Sequence, residues 1–464
     1  MDTLWILTEE RPKSSVVSDI VKLYHRDFSG GVEPFDEKQV RIKPVFKSGI
    51  FQFRYIVEGI SIRGVQDIII KIVSGSSSFF DFLVFLQENE PSENQRGNLL
   101  MAVEETKTND DESRNTAVYQ RASKFVFIDA FYDHVKLYML YNDELEAREY
   151  KRPSDTSIFG TNMLLTLNVE IVGKDTSRWF RKFDDIKDLI RFKSAMRMPP
   201  VGNTPINITQ YEDRIEISGR LSKPLAAGNI GHDPNIGALS LISKGLRVLG
   251  WDKRIVITMH GVSQSYVDRT RGKNKFLYIC KMLGIELEGI DIPDRVSLPE
   301  NYWHYEKSSE KTASILLHMT GEYYGLRGIY QNHAGCERGY FKTIVNGLIA
   351  LPKRDKYGEV LYIPDLILHD PKSNVIILVE GKKLSTLQDG IDEIKWYDSI
   401  EDEYIRPCYP GCSVYRCVSI FGGNRLTLPH PKVILYLSET GRVIINSTAP
   451  QCIKEAFRAE GVSL

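Results

Sequence analysis

An α/β chain of more than one domain is what this sequence predicts, and three observations predict it. At 464 residues the chain exceeds what one ordinary hydrophobic core holds, so two or three domains are expected. Apolar runs rich in branched and aromatic residues alternate with segments of helical period, as in helix-and-sheet proteins. Hydrophobic residues make up 42% and charged residues 26%, the balance of an ordinary globular chain and not of a disordered or fibrous one.

The elements divide among three regions, 1–196, 197–300 and 301–464. In the first, residues 51–57, 68–73, 79–86 and 99–103 have strand composition and are bounded by Gly, Ser or Asn. Residues 115–124 predict a helix, and a second helix over 183–196 meets the turn signal Pro-Pro-Val-Gly-Asn at 199–203. The middle region carries a strand at 214–218. There follows a helix whose apolar positions Ile236, Leu239, Ile242, Leu246 and Leu249 keep helical spacing, opened by Asp233 or Asn235 and ended by Gly250. A buried strand at 255–259 and a helix at 276–283 complete it. The last region predicts helices over 311–324 and 340–349, a strand pair at 361–368 and 375–379, and strands at 414–420 and 432–437. No fixed-period repeat and no low-complexity tract occurs.

No apolar run approaches the ~20 residues needed to span a bilayer, and the opening MDTLWILTEERPK is unlike a signal peptide, so a cytoplasmic protein is expected. Six cysteines in so long a chain do not form a disulfide framework. Cys408, Cys412 and Cys417 cluster near His430 without a CxxC pair, so buried thiols are expected in preference to zinc. The net charge of -1 leaves nucleic-acid binding open, because a phosphate footprint needs a local basic surface. The phosphate-loop, GxGxxG, HExxH and GxSxG patterns are absent, which removes the usual supports of ATPase, dinucleotide-enzyme, zincin and hydrolase readings.

The sharpest signal is LYIPDLILHDPKSNVIILVEGKKL at 361–384, which predicts a β-hairpin with its turn over 369–374. Side chains alternate along a strand, so Glu380 and Lys382 project to one face while Asp365 lies on the partner strand. Two carboxylates brought together make a hard oxygen site suited to Mg²⁺, and a lysine beside them offsets charge building on phosphorus or on a hydroxide nucleophile. Phosphodiester hydrolysis needs that combination. The bland alternative is a hairpin whose strands end in solvated charges.

Pro364, Asp365, Glu380 and Lys382, with fourteen residues between the two acids, resemble the motif of the PD-(D/E)XK nuclease superfamily. The resemblance implies a C-terminal restriction-endonuclease-like core with a metal site at Asp365 and Glu380, Lys382 as catalytic lysine and Mg²⁺ as cofactor. It also implies an extra acid from an upstream helix, for which Glu322 and Glu337 are candidates.

Asp81, Glu105 and Lys107 repeat the acid, acid-x-lysine logic near the N-terminus, with twenty-three residues between the acids and no proline. A carboxylate inside the apolar run at 79–86 is costly unless paired or metal-bound. Gln120, on the following helix, resembles a member that this superfamily often carries there. The reading is a second such core, with Asp81 and Glu105 as metal ligands. The competing reading is an exposed acidic and basic loop after a core strand.

Arg114 and Arg121 on or before that helix, and Arg269, Arg271, Lys273 and Lys275 after the strand at 255–259, are candidate DNA contacts, though a solvated basic loop would carry the same residues. Residues 231–235 open a helix as a cap or a phosphate site, the cap being preferred. The resemblance implies a type II restriction endonuclease that hydrolyses double-stranded DNA at a specific sequence. Two catalytic centres per chain would cut one strand each, and a cognate DNA methyltransferase is implied by the resemblance alone. The oligomeric state, a homodimer included, stays open. The rivals are a repair or junction-resolving nuclease and a non-catalytic DNA-binding protein built on degenerate nuclease cores.

Overall fold

The computed structural model describes residues 1–28, 35–75, 78–106, 117–141, 153–173, 178–196, 206–220, 234–260, 263–270, 275–306, 309–333, 340–345 and 347–463. The chain is mixed α/β and forms two compact units, one of Met1–Ser74, Gln87–Glu90 and Tyr305–Leu464, the other of Gly75–Leu86 and Pro91–His304.

The first unit begins with β1 (Asp2–Thr8), α1 (Ser14–Phe28), β2 (Arg41–Lys47), β3 (Ile50–Glu58) and β4 (Val65–Gly75), whose strands run in the order β2-β3-β4-β1. β1 pairs in parallel with β4, and Leu4, Trp5, Ile6 and Leu7 are all buried, as expected of a strand covered on both faces.

The second unit holds β5 (Phe82–Gln87), β6 (Leu99–Thr106), α2 (Ala117–Phe127), β7 (Lys136–Tyr141), α3 (Asp155–Thr166), β8 (Glu170–Val172), α4 (Ile186–Ala195), β9 (Asn207–Gln210) and β10 (Arg214–Arg220). It continues through α5 (Pro234–Val248), β11 (Arg254–His260), α6 (Gln264–Thr270), α7 (Lys275–Leu283), β12 (Ile285–Leu287) and β13 (Trp303–Tyr305). β5 and β6 form an antiparallel hairpin, to which β7 and then β8 add in parallel. A separate sheet has the order β12-β11-β10-β9.

The rest of the first unit comprises α8 (Lys311–Tyr323), β14 (Arg327–Gln331), β15 (Tyr340–Lys342), β16 (Leu348–Ala350), β17 (Leu366–Asp370), β18 (Val375–Lys383), α9 (Leu387–Glu393), the short turns α10 (Asp398–Ile400) and α11 (Arg406–Cys408), β19 (Ser413–Phe421), β20 (Val433–Leu437), β21 (Val443–Ile445) and α12 (Gln451–Ala459). Its sheet has the order β14-β17-β18-β19-β20-β21. β17 and β18 are antiparallel, and β19 and β20 follow in parallel. This is the hairpin-then-parallel pattern of β5 to β8. One face of the sheet, through Ile367, Ile376, Leu378, Val418 and Ile420, is buried against Ile391, Ile394 and Tyr397.

The units do not follow the sequence division at 196 and 300, because the N-terminal 74 residues belong with the C-terminal region. The amide of Phe51 donates to the Gly441 carbonyl (2.8 Å), Lys311 Nζ donates to the Glu9 carbonyl (2.7 Å), and Arg11 pairs with Glu322 (2.8 Å). Two elements also differ from expectation. Within 340–349 the described residues pair as strands β15 and β16 in place of a helix, since Tyr340 and Phe341 favour strand. The strand expected from 361 begins at Leu366, because Pro364 has no N–H to give the ladder. Among the described residues no helix is long and apolar enough to cross a membrane.

Arg11 ties α8 to the start of the chain. It pairs with Glu322, donates to Gln331 Oε1 (3.0 Å) and has a side chain only 12% exposed. Arg11→Ala should destabilise the first unit by about 1.5–3 kcal/mol, the worth of a charged hydrogen bond. Denaturant titration of Arg11→Ala, Glu322→Ala and the double variant checks this, the double costing less than the sum of the singles.

Candidate active site

The register of the β17–β18 hairpin positions the acids. Leu366 pairs with Val379, so the residue before β17, Asp365, falls opposite Glu380 on the same face of the sheet. Lys382 follows on that face, and Gly381 points away from it. The Gly381 amide donates to Asp365 Oδ2 at 2.9 Å, fixing the carboxylate. A Cβ at position 381 would lie 3.1 Å from Ser314 Oγ and 3.2 Å from Asp365 Oδ2, which explains a glycine between the acid and the lysine.

α9 and the turn after it supply what the sequence reading missed. Lys382 Nζ lies 2.8 Å from Glu380 Oε1 and 2.8 Å from Glu393 Oε2. The Tyr397 hydroxyl donates to Glu380 Oε2. Helical spacing from Leu387 aims Glu393 and Tyr397 at the sheet face carrying Glu380, and that was the available signal.

Burial pushes the Asp365 carboxyl up to about 7; the Gly381 N–H and Lys382 oppose this, while Glu310 and Glu393 add to it. Burial and then the charge of Asp365 push Glu380 up to about 8. Burial would raise Glu393, but its neighbours Glu380 and the Lys382 ammonium hold it below the usual carboxylate range. Burial alone would lower the Lys382 ammonium, but its two carboxylate partners raise it. Glu310, just before α8, is thus the upstream acid acting on Asp365. Glu322 is engaged elsewhere, with Arg11, His318 Nε2 (3.3 Å) and the Gly328 amide (3.3 Å), and Glu337 lies outside the described residues.

Among the described residues no three His, Cys, Asp or Glu side chains form a ready metal cage. The donor set nevertheless fits Mg²⁺, which is commonly held by one or two carboxylates with water and substrate phosphate completing the shell. Two hard carboxylates stand opposed, each pushed toward its neutral form by burial and by nearby negative charge, and a divalent cation would relieve that repulsion.

The second unit repeats the arrangement with a change of residues. Phe82 pairs with Val103, so Asp81 falls opposite Glu104 and not Glu105. Glu105 contributes its amide, which donates to Asp81 Oδ2 at 2.7 Å as Gly381 does to Asp365. Its side chain takes the other face by strand alternation. The ammonium at Glu104 comes from α2: Lys124 Nζ lies 2.6 and 2.7 Å from the two Glu104 oxygens and 3.6 Å from Asp81. Arg121 Nε adds a contact to Glu104 at 3.1 Å. Burial and the Asp81 charge push Glu104 up to about 7 against those cations.

Lys107 and Arg114 lie outside the described residues, and Gln120 is on α2 with its side chain outside the description. Of the expected DNA contacts, Arg121 faces Glu104, as its place one helical turn before Lys124 dictates. Lys275 bonds Ser78 and Ser123 (3.1 Å to the latter), and burial together with Lys124 lowers its ammonium to about 7, so it belongs to this buried cluster and not to a solvated surface. Arg269 is exposed on α6, and Arg271 and Lys273 are outside the described residues, as are 231–233. Cys417 is buried in β19, donating to the Leu378 carbonyl at 3.3 Å, and Cys408 and Cys412 are free thiols.

No protein-family model matches the chain, and no curated protein and no solved structure matches it.

Two expectations follow from the paired acids. Asp365 and Glu380 are held above their ordinary values near about 4. The folded state therefore keeps protons that the unfolded state releases, and metal-free stability is full below about pH 4 and falls as pH rises through about 7 and 8. Asp365→Asn should flatten that fall and raise stability at pH 8 by about 1–4 kcal/mol. Thermal melts from pH 5 to 8 without divalent ions measure it, and an unchanged pH slope in the variant would contradict it. Gly381→Ala should press on Ser314 and the Asp365 carboxylate and cost about 1–3 kcal/mol of stability, read by denaturant titration.

Proposed function

We propose that the chain is a Mg²⁺-dependent DNA endonuclease of the restriction type, a hydrolase of phosphodiester bonds in double-stranded DNA. The observation that carries this reading is the acid pair of half-buried Asp365 and buried Glu380, opposed across a hairpin with the Lys382 ammonium on the same face. Solvated strand ends would not be buried, mutually repelling or bonded to a tyrosine.

Asp365 and Glu380 would hold the metal, which when bound supplies a more acidic attacking water and offsets phosphate charge. The protein's own groups do the rest. The Gly381 amide and the Tyr397 hydroxyl orient the two carboxylates. Lys382 keeps its proton at neutral pH, so its part is electrostatic: it faces the charge that gathers on the phosphoryl oxygens. Glu393 holds that ammonium in place.

A second centre at Asp81, Glu104 and Lys124 fits the same chemistry, because the acids share the register and the backbone hydrogen bond of the first. One observation favours a platform there instead: Glu104 is met by both Lys124 and Arg121, so its charge calls less strongly for a metal. Supercoiled plasmid with Mg²⁺ separates the two readings. Wild type should linearise it at discrete sites. Lys382→Ala should lose about 100-fold or more on at least one strand. If Glu104→Gln then nicks only the opposite strand, both centres cut; if Glu104→Gln cleaves as wild type, the second is a platform. Cleavage confined to four-way junctions would point to a resolving enzyme. Binding of duplex with no cleavage of any DNA would sink the nuclease reading in favour of a binding module.

A further inference from the structure

Two imidazoles stand behind the acid pair of the first unit and have no part in the chemistry above. Ser314 and His318 lie on α8 with essentially no exposed surface, four residues apart and so on one face of the helix. His333, just past the end of β14, sets its ring between them. Its Nδ1 is 3.0 Å from Ser314 Oγ, and its Nε2 is 3.0 Å from His318 Nδ1. His318 Nε2 in turn faces Glu322 Oε1 at 3.3 Å. Gly328 leaves room for that pair, since a Cβ there would overlap His318 Nε2.

The direction of this chain of bonds is set from its far end. Burial would raise the Glu322 carboxyl, but Arg11 and His318 hold it well below the usual carboxylate range, so it only accepts. Burial, with the Arg11 guanidinium next, lowers His318 to about 4, and burial and then His318 lower His333 as well. Each neutral ring carries one N–H and one accepting nitrogen. His318 therefore turns its Nε2 proton toward Glu322 and accepts at Nδ1. His333 gives at Nε2 and accepts at Nδ1, so the Ser314 hydroxyl donates to His333. Without that acceptor the hydroxyl would turn to the Lys311 carbonyl, 3.0 Å away in the first turn of α8.

Both of the bonds that hold Asp365 are backed by this chain. Asp365 lies just before β17, and the Asn332 amide donates to its carbonyl at 2.7 Å. Asn332 is the neighbour of His333, so gripping the ring fixes that amide. On the other side the Gly381 amide holds the Asp365 carboxylate, and the Ser314 hydroxyl packs 3.1 Å from where a Cβ of Gly381 would be. Arg11 closes the far side, bonding both Glu322 on α8 and Gln331 on β14. An apolar contact would also join α8 to β14, but it would leave the end of the strand free to slide. Two directed hydrogen bonds to one planar ring do not.

We propose that His333 is a positioning residue: by fastening the end of β14 to α8, it presets the Asp365 carboxylate for a divalent cation. The proposal rests on reading Asp365 as a metal ligand. Groups that orient a ligand from behind contribute about 10–100-fold to metal affinity.

The test titrates Mn²⁺, a stand-in for Mg²⁺ at oxygen ligands, into the full chain alone and with duplex DNA, and counts the free ion by electron paramagnetic resonance. His333→Leu fills the space and removes both bonds, and should weaken Mn²⁺ binding by about 10-fold. His333→Asn should recover most of that loss, because its Oδ1 stands near the place of Nδ1 and accepts from Ser314. Ser314→Ala should repeat the loss from the other side of the same bond. Thermal melts show that each variant is folded, and if His333→Leu melts far below wild type, Ser314→Ala and His333→Asn decide. Binding that His333→Leu and Ser314→Ala leave at the wild-type level overturns the proposal alone. An equal loss in His333→Leu and His333→Asn also overturns it, because the ring would then act by bulk. Wild type that binds no Mn²⁺, with or without duplex, removes the metal reading of Asp365 and this proposal with it. Binding that depends on His333, with no cleavage of any DNA, supports the positioning role and defeats the nuclease reading alone.

Discussion

Setting two carboxylates opposite each other at the buried end of a hairpin is the constraint on which the rest of the first unit's site depends. Isolated, the pair would lose its charge or unfold the strand ends, because burial and mutual repulsion act in the same direction. Each neighbour answers that repulsion. The Gly381 amide takes one Asp365 oxygen, Tyr397 takes one oxygen of Glu380, and Lys382 bridges the other to Glu393. A side chain at position 381 would press on Ser314 and Asp365, which would have to give by a few tenths of an ångström. Stability given up at the acids is recovered in the sheet beneath them, where Ile376, Leu378 and Ile420 are fully buried.

The two units apply the same device with different residues. Each has an antiparallel hairpin continued by two parallel strands, an aspartate just before the first strand, and a glutamate opposite it on the second. They differ in charge balance. In the first, Asp365, Glu380 and Glu393 share one ammonium, that of Lys382; in the second, Asp81 and Glu104 share Lys124, with Arg121 on Glu104 and Lys275 near Lys124. An acid-rich cluster attracts a divalent cation more strongly than a balanced one, so a cation would be drawn more to the first unit's cluster than to the second's.

Much of this was legible in the sequence, and the misses have identifiable causes. The turn residues at 369–374 and the apolar runs beside them announced the hairpin, and strand alternation then put Glu380 and Lys382 on one face. At the second site the same alternation was applied without knowing the register. Choosing Glu105 over Glu104 turns on a one-residue slip, and a slip of one sends every side chain to the other face. Glu393 and Tyr397 were missed because they approach from a helix whose docking no short motif encodes. The strand pair within 340–350 was misread as a helix because its apolar residues also fit helical spacing.

The contrast between Lys382 and Lys124 shows which parts of such a site are free to vary. The aspartate must lie across from the glutamate, because one of its oxygens is held by the amide of the residue after that glutamate, and a backbone bond allows no other position. The lysine obeys no such rule. Its charge sits on a flexible four-carbon stem, so it reaches the same carboxylate from two residues along the strand or from a helix packed above it. Register thus fixes the acids, while reach alone limits the cation. A pattern that insists on acid, any residue, lysine therefore finds the first site and leads to the wrong residues at the second, where the pairing of Asp81 with Glu104 identifies the site and the lysine is found by looking for what approaches it.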